Sequence, residues 1–155
     1  MVIELTKLTT QDLPFLIEVR NECRDMLHCN KEFNLRDAIK WFAGLPPEHY
    51  YLLIKSDGVA IGYFRIKEML PFGIYARLEI GADLHKDFRG KGLAVAAYKL
   101  LFETYAEHVF ELELLSFNLL AYNLYRKLGF MSASCPMEIE REGRLIPSIR
   151  MRKMP

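Results

Sequence analysis

A glycine-rich loop is the part of this sequence best suited to bind a ligand. Residues 88–94 read FRGKGLA and lie between a predicted strand, residues 75–84, and a predicted helix, residues 92–109. Glycines at the start of a helix let a ligand approach the backbone, and the first amides of a helix have no helical partner. Together with the positive end of the helix dipole, these amides can bind a pyrophosphate. The alternative is an ordinary turn with a solvated basic pair, Arg89 and Lys91.

Two other phosphate-binding motifs do not fit this loop. A Walker-type loop needs Lys followed by Ser or Thr, whereas Leu93 and Ala94 follow Gly92 here. A dinucleotide-binding fingerprint needs a third small residue where Val95 stands, and it begins directly at the end of the strand. Residues 85–89 intervene in this chain, so both motifs are excluded.

A second segment with chemical potential is residues 118–130, NLLAYNLYRKLGF. Asn118 can cap the helix that follows, and Tyr125 can be a core aromatic because it shares a helix face with Ala121 and Leu128. The functional interpretation comes from position. Two strands, ending near Leu84 and Ser116, each lead into a helix that begins at the same sheet edge. Phosphate-binding amides and a phenol would then face each other across one cleft.

The hydrophobic periodicity predicts how these segments are held. Alternating and β-branched runs predict strands, and apolar residues at three- and four-residue spacing predict helices. Asn34 is a predicted N-cap, residues 56–58 a hairpin turn, and residues 71–73 a break. The predicted order is βααβββαβαββ, with strands at 2–7, 50–55, 59–67, 75–84 and 111–116 and two within 131–151, and helices at 11–23, 35–43, 92–109 and 119–128. This order predicts a mostly antiparallel α+β fold with one βαβ crossover.

Composition narrows the class of protein. The 155 residues carry 21 Lys and Arg against 20 Asp and Glu, and this balance argues against a nucleic-acid partner. No apolar run approaches the roughly 20 residues that a membrane span needs, and no signal peptide is recognisable at the N-terminus. We expect a single cytoplasmic domain, residues 1–155, with no membrane partner and with Cys23, Cys29 and Cys135 as free thiols.

The loop and the later segment together resemble the GNAT (Gcn5-related) superfamily of acyl-CoA-dependent N-acetyltransferases. The loop matches that family's pattern of Arg or Gln, two residues, Gly, one residue, and Gly or Ala. The residues that look like its later motif are Asn118, Ala121, Tyr125, Leu128, Gly129 and Phe130. The resemblance implies an α+β, α/β three-layer-like fold. It would have a mixed, mostly antiparallel sheet of about seven strands, with about four helices and two strands splayed to admit CoA.

The resemblance also implies how acetyl-CoA would bind, with no metal. The CoA pyrophosphate would lie on the backbone amides of Arg89, Gly90, Lys91, Gly92, Leu93 and Ala94. The pantetheine arm would pass between strands 75–84 and 111–116, bonded to the backbone at Ala82 and Leu84. Asn118 and Ala121 would contact that arm.

The catalytic roles follow from the same resemblance. Tyr125 would stand near the sulfur as general acid, since a phenol with a pKa near 10 carries its proton at neutral pH. Glu79 is the candidate base, acting through water, although it can equally be an outward-facing carboxylate. Asp83 has the same strand parity and is the alternative, as is a chain of waters. His85 is expected to be exposed in a loop.

The acceptor site is predicted at the end of the first helix. Arg20 and Asn21 resemble the subgroup that acetylates ribosomal-protein N-termini, amino sugars or polyamines. Arg20 could bind a phosphate or carboxylate, or simply face the negative end of the helix dipole. An aromatic cluster could line a sugar or base pocket or belong to the core, and its members are Trp41, Phe42, Tyr50, Tyr51 and Tyr63.

We therefore predict an enzyme that moves the acetyl group of acetyl-CoA to a primary amine by direct attack, without a covalent enzyme intermediate. The expected acceptor is a small molecule such as an amino sugar or its nucleotide conjugate. The alternatives are a protein N-terminal acetyltransferase of the ribosomal-protein type and a non-catalytic CoA-binding regulatory module. The expected assembly is a monomer or a homodimer.

Overall fold

One sheet with helices on both faces organises the chain. The computed structural model describes residues 1–27, 29–133 and 137–155. Its strands are β1 (Ile3–Lys7), β2 (His49–Ser56), β3 (Val59–Phe72), β4 (Tyr75–Leu84), β5 (Val109–Leu115), β6 (Met131–Ser132), β7 (Met137–Arg141) and β8 (Arg144–Lys153). Its helices are α1 (Leu13–Cys23), α2 (Leu35–Ala43), α3 (Leu93–Thr104) and α4 (Leu119–Lys127), joined by short 3₁₀ turns such as Lys86–Phe88.

The sheet opens at its single parallel pair. Its strand order is β1-β2-β3-β4-β5-β8, with β6 and β7 both paired to β8, and within the described residues every pair except β4 with β5 is antiparallel. β4 and β5 pair only at Arg77 with Val109, Leu78 with Phe110 and Glu79 with Glu111. β4 continues to Leu84 without pairing to β5. The predicted splaying of two strands is therefore confirmed.

Two hydrophobic clusters hold the helices against the sheet. On the first face, α1 packs through Leu13, Leu16 and Val19 against Leu53 and Tyr63. On the second face, α3 and α4 pack on a larger core, which contains Phe64, Ile80, Tyr98, Leu101, Phe110, Tyr125 and Phe130. The opening between β4 and β5 therefore has α1 and α2 on one side and α3 and α4 on the other.

The predicted helix caps at Asn34 and Asn118 and the predicted turn between β2 and β3 are confirmed by the structure. Asn34 caps α2 by accepting a hydrogen bond from the Asp37 amide at 2.9 Å, and Asn118 caps α4 by accepting one from the Ala121 amide at 3.3 Å. The turn between β2 and β3 is made by Asp57 and Gly58, both with positive φ. The α+β fold with four helices is confirmed among the described residues.

Three boundary predictions were wrong. α3 ends at Thr104, because Tyr105 leaves helical geometry and the buried residue Val109 starts the next strand. β3 continues through Pro71, since a bulge after Met69 accommodates it and the turn comes at Gly73. The C-terminal part forms three described strands where two were predicted, because the short strand β6 also pairs with β8.

Candidate active site

The open edge of β4 presents backbone hydrogen-bonding groups to the gap. The amide of His85 donates to the Ile61 carbonyl at 2.8 Å, so His85 faces β3. Backbone direction alternates along a strand, and Ala82 and Leu84 therefore turn their N–H and C=O groups to the β5 side. In agreement, the Leu84 carbonyl accepts a hydrogen bond from Arg89 Nε at 2.9 Å. The edge at Ala82 can bind an extended ligand in the manner of an added strand.

The 3₁₀ turn Lys86–Phe88 separates β4 from the glycines of the loop, which then starts α3. Gly90 and Gly92 have φ of 72° and 76°, a region that favours glycine, and Gly92 is the N-cap. The first amide of the helix that bonds back is that of Ala96, to the Gly92 carbonyl at 3.3 Å. The amides of Leu93 and Ala94 precede that first bond, so they point out of the helix start. This geometry can bind phosphate oxygens.

Arg89 fastens this loop to its surroundings. Besides its bond to Leu84, its Nη2 donates to Cys23 Sγ at 3.1 Å and lies 4.0 Å from a Glu22 carboxylate oxygen. Burial raises the pKa of the Cys23 thiol to about 11, so this thiol is neutral at pH 7. The Lys91 ammonium lies 5.8 Å from the centre of the Phe88 ring. Arg89 is therefore bonded to groups of β4 and α1, although its side chain remains 47% exposed.

Cys23 and Cys29 carry free thiols, in agreement with the sequence. The prediction for Cys135 lies outside the described residues.

Tyr125 lies on the α3–α4 side of the sheet and is 9% exposed. Its hydroxyl accepts a hydrogen bond from the Tyr98 hydroxyl at 3.3 Å, and its ring packs edge-on against Tyr98 and Phe130. Burial raises the pKa of Tyr125, although the Tyr98 hydrogen bond and the charge of Arg65 act in the opposite direction. Tyr125 is therefore protonated at neutral pH, and its own proton is not used to bond Tyr98.

A groove of about 580 Å³ lies on the opposite side, under α1 and α2. Aromatic rings from α2, β2, β3 and the loop before α2 line it, and they belong to Phe33, Trp41, Tyr51 and Tyr63. Charged side chains also line it, namely Arg20, Arg65, Lys67, Glu79 and Glu113. Only part of the predicted aromatic cluster is found here. Phe42 packs beside the first core, and the Tyr50 hydroxyl meets that of Tyr105 on the other side of the sheet.

Glu79 lines the groove at the point where β4 and β5 separate. Its Oε2 accepts a hydrogen bond from Arg150 Nη2 at 2.8 Å, and Arg150 Nε donates to Glu111 Oε1 at 2.9 Å. Glu111 is 1% exposed and also accepts bonds from Arg77 and Arg152. Glu79 is thus the groove-facing end of an ion network that runs across β4, β5 and β8.

Asp83 faces the same side as Glu79, as strand parity predicted, but its carboxylate is already occupied. It is 7% exposed, and its Oδ2 accepts hydrogen bonds from the Tyr63 hydroxyl and from Arg65 Nη1, both at 2.7 Å. These bonds occupy the carboxylate and leave it no approach to an acceptor amine. Asp83 therefore serves as an anchor for Arg65 and Tyr63.

His85 is buried at 9% exposure, so the expectation of an exposed imidazole was wrong. The 3₁₀ turn that follows it folds the ring against Phe15, with Nε2 at 3.1 Å from Glu18 Oε1 and 3.6 Å from Glu22 Oε1. The Asp87 amide donates to its Nδ1 at 3.2 Å, and Nε2 faces the two carboxylates of α1.

Arg20 and Asn21 form hydrogen bonds with the backbone of the segment between α1 and α2. Arg20 donates to the carbonyls of Lys31 at 2.8 Å and Cys29 at 3.3 Å, and its guanidinium lies 4.7 Å from the Phe33 ring centre. The Asn21 amide both donates to and accepts from the Phe33 backbone. Arg20 lines the groove, whereas Asn21 acts through its hydrogen bonds to the backbone of Phe33, which also lines the groove.

Three residues of this region were not singled out from the sequence: Arg65, Tyr98 and Arg150. Arg65 had a usable signal, since it is a charged residue inside the apolar run 59–67. Tyr98 looked like one more apolar position of α3, and Arg150 like one of several C-terminal basic residues. Their partners, Asp83, Tyr125 and Glu79, are 18 to 71 residues away in the chain.

Comparison with known proteins supports one family. The model of the acetyltransferase (GNAT) family matches residues 13–130. No curated protein matches this chain. No helix in the described part of the chain is long and apolar enough to cross a membrane.

Solved structures share the fold at low sequence identity. A ribosomal-protein-alanine N-acetyltransferase from Brucella melitensis is 21% identical, with a TM-score of 0.79 and 100% of both chains covered. A ribosomal L7/L12 α-N-protein acetyltransferase in complex with coenzyme A is 16% identical, with a TM-score of 0.84 over 99% of this chain and 94% of that one. A phosphinothricin acetyltransferase from Sinorhizobium meliloti in complex with AcCoA is 18% identical, with a TM-score of 0.77 over 99% and 89%.

The splayed parallel pair, the glycine-rich helix start and the family match agree with one another. The chain belongs to the GNAT family of acetyltransferases, and acetyl-CoA is its acetyl donor.

Proposed function

We propose that this enzyme acetylates the primary amine of a small molecule, such as an amino sugar or its nucleotide conjugate. The observation that carries this proposal is the groove beside residues 79–81 of β4. Its volume, about 580 Å³, falls in the usual range for small-molecule sites, about 300–1,000 Å³. The flat rings of Trp41 and Tyr51 suit a sugar or a base, and Arg20 and Lys67 offer positive charge to a phosphate.

In this proposal, acetyl-CoA binds at the opposite end of the gap between β4 and β5. Its pyrophosphate lies on the amides of residues 89–94, and its pantetheine arm bonds the β4 edge. Ala82 offers both backbone groups, whereas Leu84 offers its N–H because its carbonyl already bonds Arg89. Asn118 uses its side-chain oxygen as a helix cap, which leaves its NH₂ group for the arm. Ala121 contacts the arm through its methyl group.

The proposed reaction begins with removal of a proton from the acceptor ammonium, because only the neutral amine has a lone pair for attack. Glu79 receives this proton through water. The nitrogen then bonds the acyl carbon, and the carbonyl electron pair moves to oxygen. When that pair returns, the C–S bond breaks and Tyr125 protonates the sulfur. Tyr125 regains a proton from the product nitrogen through water, so one proton is released per turnover.

The contacts of the two carboxylates favour Glu79 over Asp83 as the base. Glu79 borders the groove and, within the described residues, pairs with one cation, Arg150. Asp83 is buried and bonded by both Tyr63 and Arg65. The Arg150 guanidinium holds Glu79 in place, and this orientation suits proton transfer by way of a bridging water.

A protein N-terminus is the second candidate acceptor. Its support is the similarity in fold to two ribosomal-protein acetyltransferases. A peptide would enter the groove past residues 29–33, which Arg20 and Asn21 tie to α1. Because residues 29–33 are held by these hydrogen bonds, the groove favours a compact acceptor over an extended chain.

The acceptor is tested by following thiol release from acetyl-CoA with a panel of amines. We expect nucleotide-linked amino sugars and free amino sugars to be acetylated faster than polyamines or peptides beginning with Ser or Ala. Turnover with the peptides alone would contradict the small-molecule proposal. A single domain over residues 1–155, a monomer or homodimer and a cytoplasmic location stay predictions. Light scattering and cell fractionation test the last two.

A further inference from the structure

The guanidinium of Arg65 lies flat on the backbone of β4 at Gly81. Arg65 in β3 is paired directly with Gly81 in β4. A Cβ atom added at Gly81 would lie 2.4 Å from Arg65 Nη2 and 2.8 Å from its Nε. Any side chain at this position would displace the arginine. Since Gly81 does not have a positive φ, the backbone does not require glycine here. The glycine makes room for Arg65.

The guanidinium is also fixed in direction. Its Nη1 donates to Asp83 Oδ2 at 2.7 Å, and Asp83 is held in turn by the Tyr63 hydroxyl. Among the described residues, Asp83 is the one hydrogen-bond acceptor of Arg65. The Nη2 atom lies beside Gly81, the Arg65 side chain is 36% exposed, and both residues line the groove, so the Nη2 donors are available to a ligand there.

Arg65 and Tyr125 approach the gap from opposite faces of the sheet. Pairing of β4 with β5 ends at Glu79, two residues before Gly81, and the backbone of Ala82 already faces the open side. Arg65 borders this opening from the α1 side, and Tyr125 packs on the α3 side. The two groups lie close enough for the charge of Arg65 to act on Tyr125: it lowers the pKa of Tyr125, whereas burial, the larger effect, and the charge of Asp83 raise it.

We propose that Arg65 is a further catalytic residue, whose Nη2 end stabilises the negative charge that forms on the CoA sulfur as the C–S bond breaks. This inference rests on the proposed function, since it places the sulfur at the opening between Gly81 and Tyr125. When the bond breaks, its electron pair moves to sulfur. Arg65 attracts that charge and transfers no proton, and Tyr125 then supplies the proton that completes the thiol. A fixed cation in a partly buried site stabilises such charge more than water does.

The test compares CoA with desulfo-CoA, which lacks the sulfur atom, and needs no acceptor. Calorimetry gives the ratio of their dissociation constants from about pH 7 to about pH 9.5, a range that spans the ordinary thiol pKa of about 8.5. If Arg65 stabilises the thiolate, the affinity for CoA relative to desulfo-CoA is expected to rise by about 10-fold over this pH range. This rise, the pH-dependent gain, corresponds to a decrease of about one unit in the pKa of the bound thiol. The single variant Arg65→Met leaves Asp83 buried without its cation, so the variant used is the double change Arg65→Met with Asp83→Asn. This pH-dependent gain is expected to be lost in the double variant.

Gly81→Ala is the second, independent perturbation, because its Cβ displaces the guanidinium while both charges stay in the chain. It too is expected to lose the pH-dependent gain. The matched controls are Lys67→Met, a cation two positions along the same strand, and Gly44→Ala, where a Cβ meets only ordinary contacts. Both are expected to keep the gain.

The outcomes are distinguishable. Absence of CoA binding by the unaltered protein would overturn the acetyl-CoA site itself. Binding of desulfo-CoA at pH 7 shows that a variant keeps the site. A pH-dependent gain that Gly81→Ala or the double variant retains in full, or that the unaltered protein never displays, would overturn the role of Arg65 and leave the acetyltransferase proposal standing.

Discussion

The hydroxyl of Tyr98 donates a hydrogen bond to the hydroxyl of Tyr125 at 3.3 Å. Burial raises the pKa of both phenols, so both are protonated at neutral pH, and Tyr98 is the donor in this pair. The Tyr125 oxygen is the acceptor, and its own proton is free to be given elsewhere. This direction suits a general acid that must release a proton and then carry a partly negative oxygen.

Replacement of Tyr125 by Phe is expected to lower turnover by about 10²–10⁴-fold, the usual contribution of a general acid. CoA affinity should change little, because the lost group acts on the departing sulfur. Thiol release measures the first quantity and calorimetry the second. Tyr122→Phe on the same helix is the control and should turn over normally. Unchanged turnover of the Tyr125 variant would remove it from the mechanism.

Replacement of Tyr98 by Phe removes the donor to Tyr125 and is expected to raise the pKa of that phenol further. Loss of one buried hydrogen bond should lower the free energy of unfolding by about 1 kcal/mol, measured by urea denaturation. Tyr98→Phe alone should lower turnover. The double variant, Tyr98→Phe with Tyr125→Phe, should turn over no more slowly than Tyr125→Phe alone, because the two hydroxyls act as one unit. Equal losses in both backgrounds would mean that Tyr98 acts independently of Tyr125.

Glu111 makes the stability of the sheet sensitive to acid. Burial favours its neutral form, but hydrogen bonds from Arg152, Arg150 and Arg77 outweigh it and hold the pKa of Glu111 below its ordinary value of 4.5. A carboxyl with a depressed pKa stabilises the folded state above the unfolded pKa, and this contribution is lost as the pH falls through the folded pKa.

Glu111→Gln is therefore expected to cost about 3–5 kcal/mol at neutral pH, the usual effect of breaking a buried ion pair. The difference from the unaltered protein should shrink as the pH falls below about 4.5 towards the lower pKa of the folded state, because the unfolded chain takes up the proton first and the folded carboxyl only at lower pH. Denaturation curves at several pH values measure this, with the exposed Glu103→Gln as control. A difference that is constant with pH would show that the Glu111 charge is not what stabilises the network.

The elements of this fold could be predicted where the signal is local. The bounds of β4 were predicted as residues 75–84, and the caps Asn34 and Asn118 were recognised, because each depends on residues close in sequence. The loop at Gly90 and Gly92 could be found for the same reason. The prediction that α3 reaches residue 109 failed because the chain turns after Thr104, where Glu107 has a positive φ, and because Val109 and Phe110 suit a buried strand as well as a helix.

The rest of the site depends on contacts between distant residues. The burial of His85 requires the carboxylates of α1 some 63 to 67 residues earlier. The position of Arg65 requires the register that pairs it with Gly81, and a one-residue slip would turn it to the other face. Strand pairing and register are long-range properties. The sequence pattern therefore indicated Glu79 and Tyr125 but not their partners, Arg150 and Tyr98.

The central claim is that backbone amides at the start of α3 hold CoA. Gly92 has a φ of 76°, and a Cβ there would meet no neighbour, so Gly92→Val acts through the backbone and the approach of the ligand. Gly143→Val is the matched control, because Gly143 has a φ of 73°, equally open surroundings and a place in the distant β7–β8 turn.

Calorimetric titration of CoA into the folded protein and these two variants tests that claim most directly. We expect saturable binding of one CoA per chain, weakened by about 10-fold or more in the Gly92 variant, as expected for about 1.4 kcal/mol of lost binding free energy, and unchanged in the Gly143 variant. No heat of binding from a cooperatively folded sample, or equal affinity in all three proteins, would contradict the account.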